Sequence, residues 1–245
     1  MNAYIADEFE KNFTDSAIYN QLQSDYDELV FDKHFYVALD RIGKDSKFIA
    51  TPRQRYAQPA SCTSYFSVVP FYYLDFLTST NPEKIYDLGC GWNIFKKYIP
   101  NIVGIGAESF EDPFFNADIH DYVDESYIAG HQNYFESVFS ICALHFIPLS
   151  NLRQRVLDFY SMIAPGGRGW LSLNAMRMIE LDTDLHNMLL TKRSQDAKNT
   201  AHNLIINQLQ NLPGKILLLD VDLDLLDNGM DGNIQIIFEK PWSSI

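Results

Sequence analysis

Cysteine is scarce in this chain: Cys62, Cys90 and Cys142 stand far apart among 245 residues, and no C-x-x-C pair occurs. That spacing argues against a disulfide framework and against a zinc ribbon, and it favours buried thiols in a reducing compartment. Positive charge is also short, with 19 Lys and Arg against 32 Asp and Glu and a formal net charge of -13. Non-specific binding to a phosphate backbone needs Lys and Arg to displace counterions, so a nucleic-acid partner is not expected. No apolar run approaches the roughly 20 residues of a membrane span. Near the start, Asn2, Asp7, Glu8 and Glu10 occupy positions where a secretory leader would be basic and then apolar. Internal repeats and low-complexity segments are absent. The expectation is a cytoplasmic protein that does not enter the membrane.

What the chain does have is apolar and aromatic mass. Hydrophobic residues make up 47% of it and charged residues 21%, an ordinary balance for a globular domain with a full core. Seventeen Phe and fourteen Tyr suit a core lined with flat side chains and an aromatic pocket. Residues 1–80 read as a helical segment. Ile18, Leu22, Tyr26 and Leu29 recur at helical spacing, and helix-like sequence returns over residues 64–77. Between them lies an irregular loop carrying Arg53, Arg55 and Tyr56, a basic island in an acidic protein. It suits a lid, or a carboxylate or phosphate on a substrate, as well as it suits a plain surface loop paired with neighbouring acids.

From residue 81 onward strands and helices alternate. Strands are predicted from Ile85 to the acid before the glycine turn, and over residues 101–106, 115–118, 135–144 and 169–173, with an amphipathic helix over 153–163 and another over 198–209. Near-continuous apolar strands separated by helices indicate a parallel sheet covered on both faces. Two further strands, 215–225 and 233–239, flank a turn containing Asn228 and Gly229, so the sheet should end in an antiparallel hairpin.

The most informative stretch is Asp87-Leu88-Gly89-Cys90-Gly91, a buried strand that ends in an acid and a glycine-rich turn. Residues without a Cβ let the backbone pass close to a ligand, and in an α/β sheet such a turn lies where small molecules bind. The full dinucleotide fingerprint would place a third glycine where Ile94 stands. With Ala117-Asp118-Ile119, the apolar run from Ser137 to His145, and Pro165-Gly166-Gly167-Arg168, the set resembles the class I S-adenosylmethionine-dependent methyltransferases.

The resemblance covers residues 81–245. It implies a Rossmann-like α/β fold with a mostly parallel seven-stranded sheet and a C-terminal antiparallel hairpin, behind an N-terminal helical extension. It also implies S-adenosylmethionine as cofactor. Asp87 would hold the amino acid end of the cofactor, and Gly89, Cys90 and Gly91 would pass beneath it. Asp118 would accept from the adenine amino group, with Ile119 packed on the ring. The chain departs from the family pattern twice: Asn93 replaces a third glycine, and Gly106 stands where an acid usually holds the ribose, leaving Glu108 to reach it.

Cys142 is expected in the pocket floor and not as a nucleophile. His145, at the carboxyl end of the fourth strand, fits a general base or an acceptor-orienting group, and equally a structural histidine. Arg53, Arg55 and Tyr56 are the candidates for acceptor binding. Asp118, His120 and Asp121 are weighed as metal ligands and set aside, so no metal is expected. The fourth strand lacks the (Asp/Asn/Ser)-Pro-Pro-(Tyr/Phe) run of enzymes that methylate DNA bases, and a small-molecule acceptor is expected; protein substrates stay open. The rival readings are a methyltransferase-like scaffold or regulatory module without turnover, and a nicotinamide oxidoreductase.

Overall fold

A computed structural model describes residues 74, 76–90, 93–97, 99–106, 117–141, 143–144, 146–183, 186–187, 195–223 and 233–242. The N-terminal helical reading, except its last few residues, and the hairpin turn at 228–232 lie outside the described residues.

The apolar runs fold into seven strands: β1 Ile85–Leu88, β2 Ile102–Gly106, β3 Ile119–His120, β4 Phe135–Ile141, β5 Ile163–Asn174, β6 Lys215–Asp222 and β7 Asn233–Glu239. Among the described residues they form one sheet in the order β3-β2-β1-β4-β5-β7-β6. β1 to β5 run parallel. β7 is antiparallel to both β5 and β6, as the hairpin reading expects. The third crossover, from β3 to β4, returns to the other side of β1, so the carboxyl end of β1 opens between β2 and β4.

Strands buried on both faces explain the near-continuous apolar sequence. One face carries Leu88, Ile105, Val138, Leu171, Leu173, Ile236 and Phe238. It packs against three helices, α1 Glu125–Gly130, α2 Leu152–Met162 and α4 Gln195–Gln208, through Tyr127, Ile128, Val156, Phe159 and Ile205. A fourth short helix, α3 Ala175–Glu180, follows β5 and adds Met178 and Ile179 to that core. Each such side chain, fully buried, contributes about 1.5–3 kcal/mol relative to exposure. The other face carries Ile85, Asp87, Phe139 and Trp170. There Phe139 stacks on Trp170 with centroids 6.0 Å apart and meets the edge of Phe95 at 5.9 Å.

The helix ends are closed by side chains. Asp124 Oδ1 accepts from Tyr127 N at 2.9 Å and caps α1. Lys240 Nζ donates to Ile163 O at 2.7 Å and lies over the Tyr160 ring, bringing a cation to the carboxyl end of α2. Arg168 donates to Phe76 O at 3.1 Å and Ser79 Oγ at 2.7 Å, which ties residues 76–79 to β5.

Several elements differ from their sequence reading, among them β4, which ends at Ile141 where 135–144 is expected. β5 starts at Ile163, because the Pro165-Gly166-Gly167 run continues as irregular strand, with a register shift between Phe135 and Ser137 on its partner. β3 is Ile119–His120, just past the expected 115–118, of which 117 and 118 are described and are not strand. The sequence after the glycine turn forms a single 3-10 turn, Ile94–Lys97, and Pro100 disfavours helix at Ile99. No helix of the described residues is long and apolar enough to cross a membrane.

Candidate functional site

The site is built on the carboxyl end of β1. In register, Asp87 lies opposite Gly104 of β2 and Phe139 of β4, so the three share one sheet face. Asp87 is 2% exposed. Among the described residues no donor reaches its Oδ2. Burial pushes its carboxyl well above the usual carboxylate range, because a charge removed from water is disfavoured when nothing offsets it.

The turn that follows is held from both sides. Ser140 Oγ donates to Leu88 O at 2.8 Å, which joins β1 to β4. Gly89 N and Cys90 N both donate to Ile105 O, at 2.7 and 3.0 Å, which joins the turn to β2. Gly89 has φ +80°, and a Cβ there would lie 2.0 Å from Ala143 Cβ. Both conformation and space therefore demand glycine.

Asn93 adopts φ +51°. Asparagine is among the few residues other than glycine that visit this region readily, so it can stand where the resemblance places a third glycine. It also does what glycine cannot: its Nδ2 donates to Asp118 Oδ2 at 2.9 Å. The same oxygen accepts from Gly104 N at 2.8 Å, and Lys96 Nζ pairs with Asp118 Oδ1. Partial burial would raise the Asp118 carboxyl, but the bonds from Lys96, Gly104 and Asn93 hold it below its usual value. A Cβ on Gly104 would come within 2.7 Å of both the Asn93 side chain and Cys90 Sγ, so this packing depends on glycine at 104.

Cys90 is 1% exposed. Burial first, then the Asp87 and Asp118 carboxylates, push its thiol up to about 12. It is a neutral packing group at the turn, with no thiolate for nucleophilic chemistry.

The structure thus brings together Asp87, Gly89, Cys90 and Asp118 around the β1 and β2 ends. Ile119 follows at the edge strand, 44% exposed. Gly91, Glu108, Cys142, His145, Arg53, Arg55 and Tyr56 lie outside the described residues. Among the described residues no group of three His, Cys, Asp or Glu side chains is placed to hold a metal ion. The sequence reading missed Asn93, Lys96, Ser140 and Ala143. Asn93 carried a signal, since asparagine at a glycine position points to positive φ; the others are visible only once β1, β2 and β4 are side by side.

The orphaned Asp87 oxygen and the glycine turn fit the amino acid end of S-adenosylmethionine, which presents an ammonium group. The Asp118 carboxylate fits less well, because three internal donors already reach it.

No family model and no curated protein matches the chain. Solved structures similar to it include a SAM-dependent methyltransferase from Anabaena variabilis, 14% identical, covering 71% of this chain and 83% of that one with a TM-score of 0.41. A SAM-dependent methyltransferase from Archaeoglobus fulgidus is 14% identical over 69% of this chain and 90% of that one, TM-score 0.38. A third, from Mesorhizobium loti, is 15% identical over 68% and 96%, TM-score 0.37. Through its strand order, with five parallel strands and β7 set antiparallel between β5 and β6, the chain has the Rossmann-like fold of the class I methyltransferases.

Proposed function

We propose that this chain binds S-adenosylmethionine over the carboxyl end of β1 and transfers its methyl group to a small-molecule acceptor. The observation that carries the reading is Asp87, an acid buried at the end of the central strand whose Oδ2 meets no donor among the described residues. An α-ammonium group is the donor that such an oxygen suits. The sheet order supports the same reading over a nicotinamide oxidoreductase, whose dinucleotide fold runs 3-2-1-4-5-6 without the inserted antiparallel strand. The net charge of -13 supports a small-molecule acceptor over a nucleic acid.

In this reading Asp87 holds the amino acid end, and Gly89, Cys90 and Gly91 run beneath it. Glu108 serves the ribose in place of Gly106, Ile119 packs on the adenine, and Cys142 contributes to the floor. When bound, the cofactor supplies a methyl group on a sulfonium, open to in-line displacement. What remains for the protein is positioning and exclusion of water. His145 acts as a base only where the acceptor must lose a proton, and otherwise orients it. Arg53, Arg55 and Tyr56 bind the acceptor.

A second reading, a module that binds without turnover, is favoured by one observation: Asp118 is already committed to Asn93, Gly104 and Lys96. Calorimetric titration with S-adenosylmethionine and S-adenosylhomocysteine tests both. Micromolar binding of each, followed by methyl transfer to a member of a small-molecule panel, is the expected result. Binding without transfer to any acceptor class selects the second reading, and a folded protein that binds neither ligand refutes both.

A further inference from the structure

Among the described residues, no charged group pairs with Asp87 Oδ2. Its register neighbours on the same face, Gly104 of β2 and Phe139 of β4, bring none. Lys96 and Asp118, beyond the turn, are bonded to each other. The Cys90 thiol, also titratable, is pushed up to about 12 and is uncharged near neutrality. Side-chain burial at 2% exposure removes water as a partner, and no donor among the described residues replaces it at Oδ2. A carboxylate under these conditions meets no compensating donor at Oδ2 among the described residues, whereas the protonated acid needs none there.

We infer that Asp87 is a neutral carboxylic acid in the ligand-free protein and ionises when a cationic group of the ligand reaches it, so that binding releases one proton. The inference rests on the cofactor reading above for the identity of that cation, an α-ammonium. In the step, the carboxyl O–H bond breaks, its electron pair stays on oxygen, and the proton passes to solvent; nothing is oxidised or reduced. The arriving ammonium keeps its own protons and donates one as a hydrogen bond.

A consequence follows for affinity. The empty protein holds a proton that the complex lacks, so acid disfavours the complex. Between the ordinary carboxylate range and the raised value of Asp87, ligand affinity should climb about tenfold per pH unit and level off above it.

The test has two parts, and the first needs no ligand. Urea unfolding of the parent and of Asp87→Asn is compared from about pH 5 to pH 8. The folded parent keeps a proton that its unfolded chain has lost, so its stability relative to the variant should fall as pH rises through this window. A flat difference overturns the proposal. If Asp87→Asn does not fold, infrared spectra of the parent with carboxyl-labelled aspartate read the protonated acid directly, and its absence overturns the proposal as well. The second part titrates S-adenosylhomocysteine calorimetrically, at one pH inside the window, in buffers of different ionisation enthalpy. One proton released per ligand is expected; none released on binding overturns the coupling. A protonated Asp87 in a protein that does not bind S-adenosylhomocysteine refutes the coupling together with the cofactor reading, and so separates that failure from a flat first part.

Discussion

Asn93 Nδ2 donates to Asp118 Oδ2 at 2.9 Å, joining the turn after β1 to the residue that precedes β3. The bond exists because Asn93 takes φ +51° and so turns its amide back over β2. One residue thereby replaces a glycine's conformational role and adds a cross-link at the edge of the candidate site.

Two substitutions separate those roles. Asn93→Gly keeps the conformation and loses the bond to a charged acceptor, and should cost about 1.5–3 kcal/mol of folding free energy. Asn93→Ala loses both and should cost about 1–2 kcal/mol more. Denaturant unfolding of the two variants measures the gap; equal losses would show that the positive φ imposes nothing.

Asp118 should make the fold acid-sensitive. Its carboxyl is held below its usual value, against the effect of burial, by Lys96, Gly104 and Asn93. The folded state therefore binds the proton less readily than the unfolded chain. The stabilisation is present above the ordinary carboxylate range and is lost as pH falls toward the depressed folded value. Relative to the parent, Asp118→Asn should show a smaller loss of stability on acidification, read from unfolding midpoints between neutral pH and the acid limb. Because the group is largely solvent-accessible, the difference should be modest and should shrink in salt.

Gly89 and Ala143 should behave as a coupled pair. Gly89→Ala places a Cβ 2.0 Å from Ala143 Cβ at φ +80°, and should destabilise by at least about 2 kcal/mol while abolishing binding of S-adenosylhomocysteine. Adding Ala143→Gly removes the clash and leaves the backbone strain, so the double variant should recover part of the stability. A double-mutant cycle with no coupling would mean that the two Cβ positions do not meet.

Gly106 offers a gain-of-function test. A Cβ there would sit 3.5 Å from Ala117 Cβ and Cys90 Sγ, ordinary contact distances, so a side chain fits. Gly106→Asp installs the acid that the family resemblance expects at the end of β2. Calorimetry should then show S-adenosylhomocysteine bound about tenfold more tightly, the worth of one hydrogen bond to a charged group. Unchanged or weaker binding would place the ribose elsewhere than over β2.

Much of the framework was legible in the residues. β7 was read as 233–239 and is Asn233–Glu239, because alternating Ile and Phe between turn residues leaves little choice of period. β5 extends beyond its sequence reading, since Pro165 and two glycines are punctuation in a local window, yet Ile163 pairs with Phe135 of β4, and Lys240, just past β7, accepts from Gly166 N and donates to Gly167 O. Around the candidate site, the buried acid at Asp87 and the turn at Gly89 were legible in position, because an apolar run that ends in an acid and a glycine marks the end of a buried strand. The bonds of Asp118 were not, because a carboxylate in a polar stretch can accept from any donor that the fold brings to it.

By itself, then, the sequence determined where most of the strands form and that an acid lies at the end of β1, since hydrophobic period and turn chemistry act over a few neighbouring residues. Only the tertiary structure decided that β7 lies between β5 and β6, that Asp118 binds Asn93 and Gly104 from 25 and 14 residues away, and that Asp87 is left without a donor at Oδ2. Those outcomes depend on desolvation and on pairing between distant segments, energies that exist only after the sheet has assembled.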